Sequence, residues 1–471
     1  MSEMLKKEAV NPYLPSWEYI PDGEPYVFGD RVYIYGSHDI YDGHVFCLGD
    51  YVCYSAPVDD LGNWRYEGVI YPKTADPLNK DGAMCLYAPD VTVGSDGKYY
   101  LYYVFDKVNV MSVAVCDTPA GRYEFLGYVH YKDGTRLGDR PGDEPQFDPG
   151  VLTEGDRTYL YSGFCPHGDK SRSGSIMVVL GPDMLTIEED GVLIAPGIEN
   201  PEKGSFLGHE FFEASSIRKR GDKYYFIYSS IWMHELCYAV SDSPKGPFTY
   251  GGVIISNADM GIGGYKEENV PGMYGANNHG SIVEINGEWY IFYHRHTNGT
   301  WYSRQECAEI IHFADDGSIP QVELTSQGLN AAPLTGKGEH LAYTVCNMFT
   351  NEQEMYIGKP GFPTVKERLE EGDEHPESFI AGITDGTTLG FKYYNCQGIS
   401  SFAIKTRGYG DGVFELRTDP KGEVLGSIEV HNTNIWTEQS VDIDLPDGVY
   451  AFYITFKGGS SSLQMRSFSL N

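Results

Sequence analysis

The 471-residue chain contains no run of about 20 apolar residues, the length that a helix needs to cross a bilayer. No apolar stretch of signal-peptide length follows the opening MSEMLKKEAV either, so no leader and no membrane partner are expected. Lys and Arg do not cluster. They number 35 against 67 Asp and Glu, and the net charge of −32 argues against a nucleic-acid partner, because phosphates demand basic patches. Nine cysteines lie singly from Cys47 to Cys396 without a C-x-x-C pair. That scatter excludes a disulfide framework and suits a reducing cytoplasm. No segment reads as a long helix.

What the chain has in abundance is strand and turn: 37 Tyr and 56 Gly. One pattern is written five times, as a polar residue, a short β-favouring run, a turn containing Gly, and an aromatic-rich run. The copies begin at Asp22, Asp90, Asp148, Glu213 and His279, so they lie 68, 58, 65 and 66 positions apart. Each leads into an aromatic run: RVYIYGS, KYYLYYV, DRTYLYS, DKYYFIYS and EWYIFYH. A second, weaker refrain of strand, turn and returning strand follows each hairpin, ending with YSRQECAEIIHFADDGSI. Repeated hairpins at a near-constant spacing predict a five-bladed β-propeller over residues 1–330.

In a propeller the first strand of each blade lines the central axis. Residues at one offset then meet at one height, and here the ring would be Asp22, Asp90, Asp148, Glu213 and His279. Like charges gathered in a low-dielectric channel force at least one carboxyl to keep its proton above the usual range. Loops near 106–110, 131–146, 198–209 and 257–278 are long enough to shape the rim, the last two because they run directly into Glu213 and His279. The repeat stops at TSQGLNAAPLTGK, residues 325–337. Beyond it, residues 338–471 read as short strands with frequent turns, the spacing of an all-β sandwich or jelly roll.

The residues around the acids resemble glycoside hydrolase family 43. The likeness rests on NPYLPSWEYIPDGEP, YAPDVTV, FDPGVLTEGDRTYLYSG, FFEASSIRKRGDKYYFIYS and SRQECAEIIHFADDGSI, in that order over about residues 11 to 330. The resemblance implies that Asp22 is the general base that activates water, Glu213 the general acid, and Asp148 the carboxylate that orients the acid and raises its pKa. Inversion needs base and acid about 6.5–9.5 Å apart so that water fits between them. The family pattern usually has Asp-Pro-Ser where this chain has Asp22-Gly23-Glu24-Pro25, which makes Glu24 a rival base.

The resemblance also implies that Arg304 reaches towards the bound sugar. It implies too that His279 helps hold an axial ion, often Ca2+ with its water shell, although calcium prefers oxygen ligands. No organic cofactor is implied. Asp90 either braces the channel or touches a sugar hydroxyl. Tyr87, Trp232 and Phe211 are candidates for stacking on a sugar face. His294 and His296 share one face of a strand without an evident third zinc ligand, and the glycines at Gly261 read as a loop. The C-terminal unit resembles carbohydrate-binding module family 6, with a departure at Leu463–Ser467 where that family often carries Asn and Asp.

The expected activity is that of an inverting exo-glycosidase, α-L-arabinofuranosidase or β-xylosidase, acting on xylan-derived oligosaccharides. Two alternatives are an endo-acting arabinanase, which needs an open groove, and a non-catalytic sugar-binding propeller with a lectin-like sandwich.

Overall fold

The computed structural model describes residues 6–352, 354–358 and 361–471. It is all-β: among the described residues the only helical elements are three short 3-10 turns, at Pro77–Asn79, Gly204–Phe206 and Ala342–Thr344. Five antiparallel sheets follow one another along the chain. The first four have four strands each, running from Glu24 to Tyr71, Asp90 to Tyr128, Gly150 to Pro196 and Phe211 to Ser256. The fifth has three, between Ile282 and Ile311.

The repeated glycine has a local cause. It sits in the turn between the first and second strands of every sheet, with φ of 65°, 80°, 61°, 58° and 87° at Gly29, Gly97, Gly155, Gly221 and Gly287. Tight hairpins need this left-handed backbone, and glycine adopts it without a Cβ penalty. The aromatic runs that follow are the second strands. Their side chains are buried on both faces, as in Tyr224–Ser230 and Tyr290–His296, because each such strand lies between neighbouring sheets. A strand packed on both sides reads as a continuous apolar run rather than an alternation.

The first strands are joined side to side. Tyr26 Oη donates to Asp90 Oδ1 at 2.7 Å, Asp90 Oδ2 accepts the Val151 N–H at 2.7 Å, and Ser216 Oγ donates to Ser281 Oγ at 2.8 Å. Gly23 and Gly280 form a parallel bridge between the first and fifth sheets. A Cβ on Gly280 would lie 1.8 Å from the Phe292 carbonyl oxygen, so this close approach requires glycine.

The fifth sheet differs from expectation. The returning strand predicted after Ile311 is absent. Val322 instead bridges Ile255 at the outer edge of the fourth sheet. The open edge is met by the N-terminal segment: Asn11 Nδ2 donates to the Ala308 carbonyl at 2.9 Å and Asn11 Oδ1 accepts the Ala308 N–H at 2.9 Å. One amide side chain thus imitates a ladder pair, and Ala9, Tyr13 and Leu14 pack with Val283, Tyr290 and Phe292 behind it.

The C-terminal residues form two six-stranded sheets. Their core is continuous with that of the fourth and fifth sheets, since Tyr225, Leu236 and Ile291 belong to one cluster with Phe391, Phe452 and Phe468. Polar ties cross the same boundary. Fully buried Lys392 pairs with Glu323 at 2.8 Å, and Asn347 Nδ2 donates to Asp259 Oδ2 at 2.9 Å. The loop 257–278, expected to shape the rim, is largely taken into this junction, where Tyr274 Oη donates to the Pro363 carbonyl. Only its Asn277 reaches the pocket lined by Asp22, Asp148 and Glu213.

Candidate active site

Asp22, Asp148, Glu213, His279 and Arg304 line one pocket of about 340 Å³. Phe46, Cys47, Tyr87, Ala88, Asp106, Phe147, Phe164, Phe212 and Asn277 complete its wall. Aromatic faces around convergent polar groups are the usual lining of a small-molecule site.

Backbone geometry aims the acids. Asp22 and Asp148 each stand two residues before the first strand of their sheet, with φ of 60° and 42°. Left-handed backbone is costly for a residue with a Cβ, and such outliers concentrate where function needs them. Glu213 is aimed differently, by irregularities in strand pairing between Phe211 and Ser216. Ala214 takes φ of 68° there, and its freed N–H donates to Asp148 Oδ2 at 3.1 Å. Bulges of this kind re-aim a side chain out of the ladder.

The charges are tightly grouped. His279 Nδ1 lies 3.6 Å from Asp148 Oδ2 and 3.9 Å from Asp22 Oδ1, while its Nε2 lies 3.8 Å from Glu24 Oε1. Burial pushes the Glu213 carboxyl up, and the charges of Asp148 and Asp22 add to it against the pull of His279, giving about 8. Burial likewise raises Asp148, to about 7. Burial alone would depress His279, but Glu24, Asp148 and Asp22 outweigh it and hold the imidazole at about 9. At neutral pH Glu213 therefore carries a proton to give, and His279 is an imidazolium between carboxylates.

Asp22 is held by three groups. Arg304 Nη1 donates to Asp22 Oδ1 at 2.8 Å, and His294 Nδ1, 3.5 Å from that oxygen, accepts the Asp22 N–H at 3.3 Å. His279 is the third. His296 Nε2 meets the Ala276 carbonyl at 2.8 Å, so this histidine pair braces backbone. Neither sequence repeat nor motif spacing pointed to Asp39, Cys47, Asp106, Asn277 or the phenylalanines: Asp39, Phe46, Cys47, Asp106 and Phe164 come from connections between second and third strands, whose lengths differ from sheet to sheet, and Phe212 from the strand Phe211–Arg220.

Other expected residues lie elsewhere. Asp90 is fully buried outside the pocket, and its carboxylate is used by Tyr26, Val91 N–H and Val151 N–H. It braces the first three sheets and has no free oxygen for a sugar hydroxyl from the pocket. Glu24 is also fully buried outside the pocket, paired with Arg218 Nη2 at 2.5 Å. Tyr87 lines the pocket. Trp232 does not: it is 53% exposed, with Nε1 donating to the Gly208 carbonyl at 2.8 Å. Phe211 faces the core between the third and fourth sheets, and its neighbour Phe212 takes the place on the wall. Around His279 the described residues offer few oxygens for an ion. Glu24 Oε1 and His279 Nε2 are buried without hydrogen-bond partners, and the other Glu24 oxygen already meets Arg218.

Residues 20–319 match the model of glycosyl hydrolases family 43. The chain belongs to this family and is a glycoside hydrolase. It is 63% identical to a xylosidase/arabinosidase of Thermoclostridium stercorarium over 99% of both chains. It is 30% identical to a Bacteroides ovatus xylosidase/arabinosidase, covering 66% of this chain and 97% of that one. Among solved structures it is similar to a β-xylosidase/α-arabinofuranosidase from a compost metagenome, in complex with xylotriose, with a TM-score of 0.51 and 28% identity over 67% of this chain and 97% of the other. A likeness in fold runs through 99% of both chains to an arabinoxylan arabinofuranohydrolase of Bacillus subtilis, with a TM-score of 0.52 and 22% identity.

Proposed function

We propose that the protein is an inverting exo-glycosidase that removes terminal α-L-arabinofuranosyl and β-D-xylosyl residues from xylan-derived oligosaccharides. The observation that carries this reading is the meeting of Asp22, Asp148 and Glu213 in one pocket, with Glu213 protonated at neutral pH and bonded through its neighbour Ala214 to Asp148. The names of the relatives supply the pentoses. We read the five sheets as the blades of a propeller whose first strands surround the pocket. The C-terminal sheets are read as a sandwich of the carbohydrate-binding-module type that acts as a buttress, in keeping with its continuous core and buried Lys392.

In this mechanism Asp22 takes a proton from water as that water attacks the anomeric carbon. The bond to the departing oxygen breaks at the opposite face, and Glu213 gives that oxygen its proton, so both carboxyls exchange charge in one turnover. Asp148 keeps Glu213 protonated until then. Arg304 and His294 hold the base. The aromatic wall excludes water around the sugar, which strengthens each of these interactions.

The donor set does not fit the calcium ion expected at His279. Calcium takes six to eight oxygens, whereas the carboxylate oxygens near His279 are few, and Arg218, Arg304 and the His279 imidazolium already balance these acids. No step above runs through an ion. Nine free thiols, eight of them buried, support a cytoplasmic address, where imported oligosaccharides are trimmed from their ends.

The test is hydrolysis of nitrophenyl α-L-arabinofuranoside and nitrophenyl β-D-xyloside by the wild type and by Asp22→Ala. Turnover of at least one substrate by the wild type and its loss in the variant support the reading. A wild type inert on both substrates would leave the sugar-binding alternative.

A further inference from the structure

Behind Arg304 lies a second buried carboxylate for which neither the repeats nor the proposed chemistry has a use. Asp39 sits in the long connection between the second and third strands of the first sheet, and its side chain is fully buried. Its Oδ2 accepts Arg304 Nε at 2.8 Å and the Arg304 backbone N–H at 3.1 Å, and its Oδ1 accepts Arg304 Nη2 at 3.1 Å. The same Oδ1 accepts the N–H of Cys47 at 2.9 Å. Cys47 takes φ of 59° there, and its Sγ meets Arg304 Nη2 at 3.4 Å on the pocket wall.

The guanidinium is planar, so fixing two of its nitrogens fixes the third. With Nε and Nη2 clamped by Asp39, Nη1 can point only towards Asp22 Oδ1, which it meets at 2.8 Å. Phe46 packs against the guanidinium, its ring centre 4.8 Å from the central carbon. A buried ion pair of two groups would be completed without Asp22. The third contact is what links this pair to the chemistry.

We propose that Asp39 is a positioning residue for hydrolysis: it clamps Arg304 so that one N–H holds Asp22 Oδ1 and leaves the other oxygen of Asp22 to take the proton from water. The proposal rests on the reading of Asp22 as the general base. Asp22 is also faced by His279 and His294, with Asp148 and Glu213 beyond His279, but none of these is itself held by a planar two-point clamp as Arg304 is by Asp39. An orienting group of this kind matters because a misplacement of about 1 Å can cost about 10²-fold in rate.

The leaving group separates this role from a merely structural one. Nitrophenolate departs without help from an acid, so nitrophenyl β-D-xyloside reports the base side, whereas xylobiose needs both base and acid. Asp39→Asn keeps the shape and removes the charge. Its kcat is expected to fall by about 10²-fold on both substrates, by the same factor, with Asp39→Glu recovering part of the loss. Arg304→Lys, which cannot clamp two carboxylates, is expected to show the same equal loss and serves if the Asp39 variants do not fold by circular dichroism. A loss much larger on xylobiose than on the nitrophenyl sugar would mean a general loosening that includes Glu213, and would overturn the proposal. So would an unchanged kcat. Asp22→Ala, assayed in parallel, tells the two readings apart: if it retains activity on the nitrophenyl sugar, the base assignment itself has failed.

Discussion

The backbone N–H of Ala214, the residue next to Glu213, donates to Asp148 Oδ2 at 3.1 Å. This bond fixes the Asp148 carboxyl beside the acid at a set distance. It makes the protonation of Glu213 depend on a residue from another sheet.

Replacing Asp148 with Asn therefore has a definite sign. Asp148 raises the Glu213 carboxyl, which stands at about 8, and removing the charge lets that pKa fall. Glu213 then loses its proton at lower pH. The alkaline limb of the kcat/KM profile, which reports the acid in the free enzyme, is expected to move to lower pH in Asp148→Asn. An alkaline limb that stays in place in the variant contradicts the assignment.

Asn11 supports the fifth sheet with both ends of its amide. Asn11→Ala leaves the buried N–H and carbonyl of Ala308 without partners, and each unmet group costs about 1–3 kcal/mol. Denaturant unfolding is expected to show a loss in that range or above. No measurable loss would mean that water or backbone takes over the edge.

Removal of divalent ions should leave the chemistry intact, because Arg218 and His279 supply the cations that Glu24, Asp148 and Asp22 require. After EDTA treatment kcat on nitrophenyl β-D-xyloside is expected to be unchanged, and added Ca2+ to leave the Tm unchanged. Activity lost to EDTA and restored by Ca2+ would contradict the charge balance described here.

The acids were legible in the sequence to differing degrees, and for a physical reason. Asp22 and Asp148 share a place two residues before a first strand, and the parallel bridge of Gly23 to Gly280 puts His279 level with Asp22. Asp90 has the same sequence offset but begins its strand, paired with Tyr102. The residue two places before that strand is Ala88, which lines the pocket. A shift of this kind along a strand sends a side chain to another level, and spacing in the chain cannot register it. Glu213 was marked by the repeat and given its role by the resemblance to a family, but its direction depends on a bulge that periodicity alone could not have fixed. Asp39 and Cys47 belong to the connection between Tyr35 and Tyr51, which is longer than its counterparts in the other sheets, so no repeat could mark them. Trp232 and Phe211 have the chemistry to stack on a sugar face, but one is held outward by the Gly208 carbonyl and the other is core.

The central claim is that Asp22 and Glu213 act together on one glycosidic bond, with water displacing the leaving group directly. Proton NMR of the first turnovers on a β-D-xyloside reads this outcome from the anomeric signal before mutarotation. Direct displacement predicts α-D-xylose as the initial product, and β-D-xylose as the initial product would contradict it.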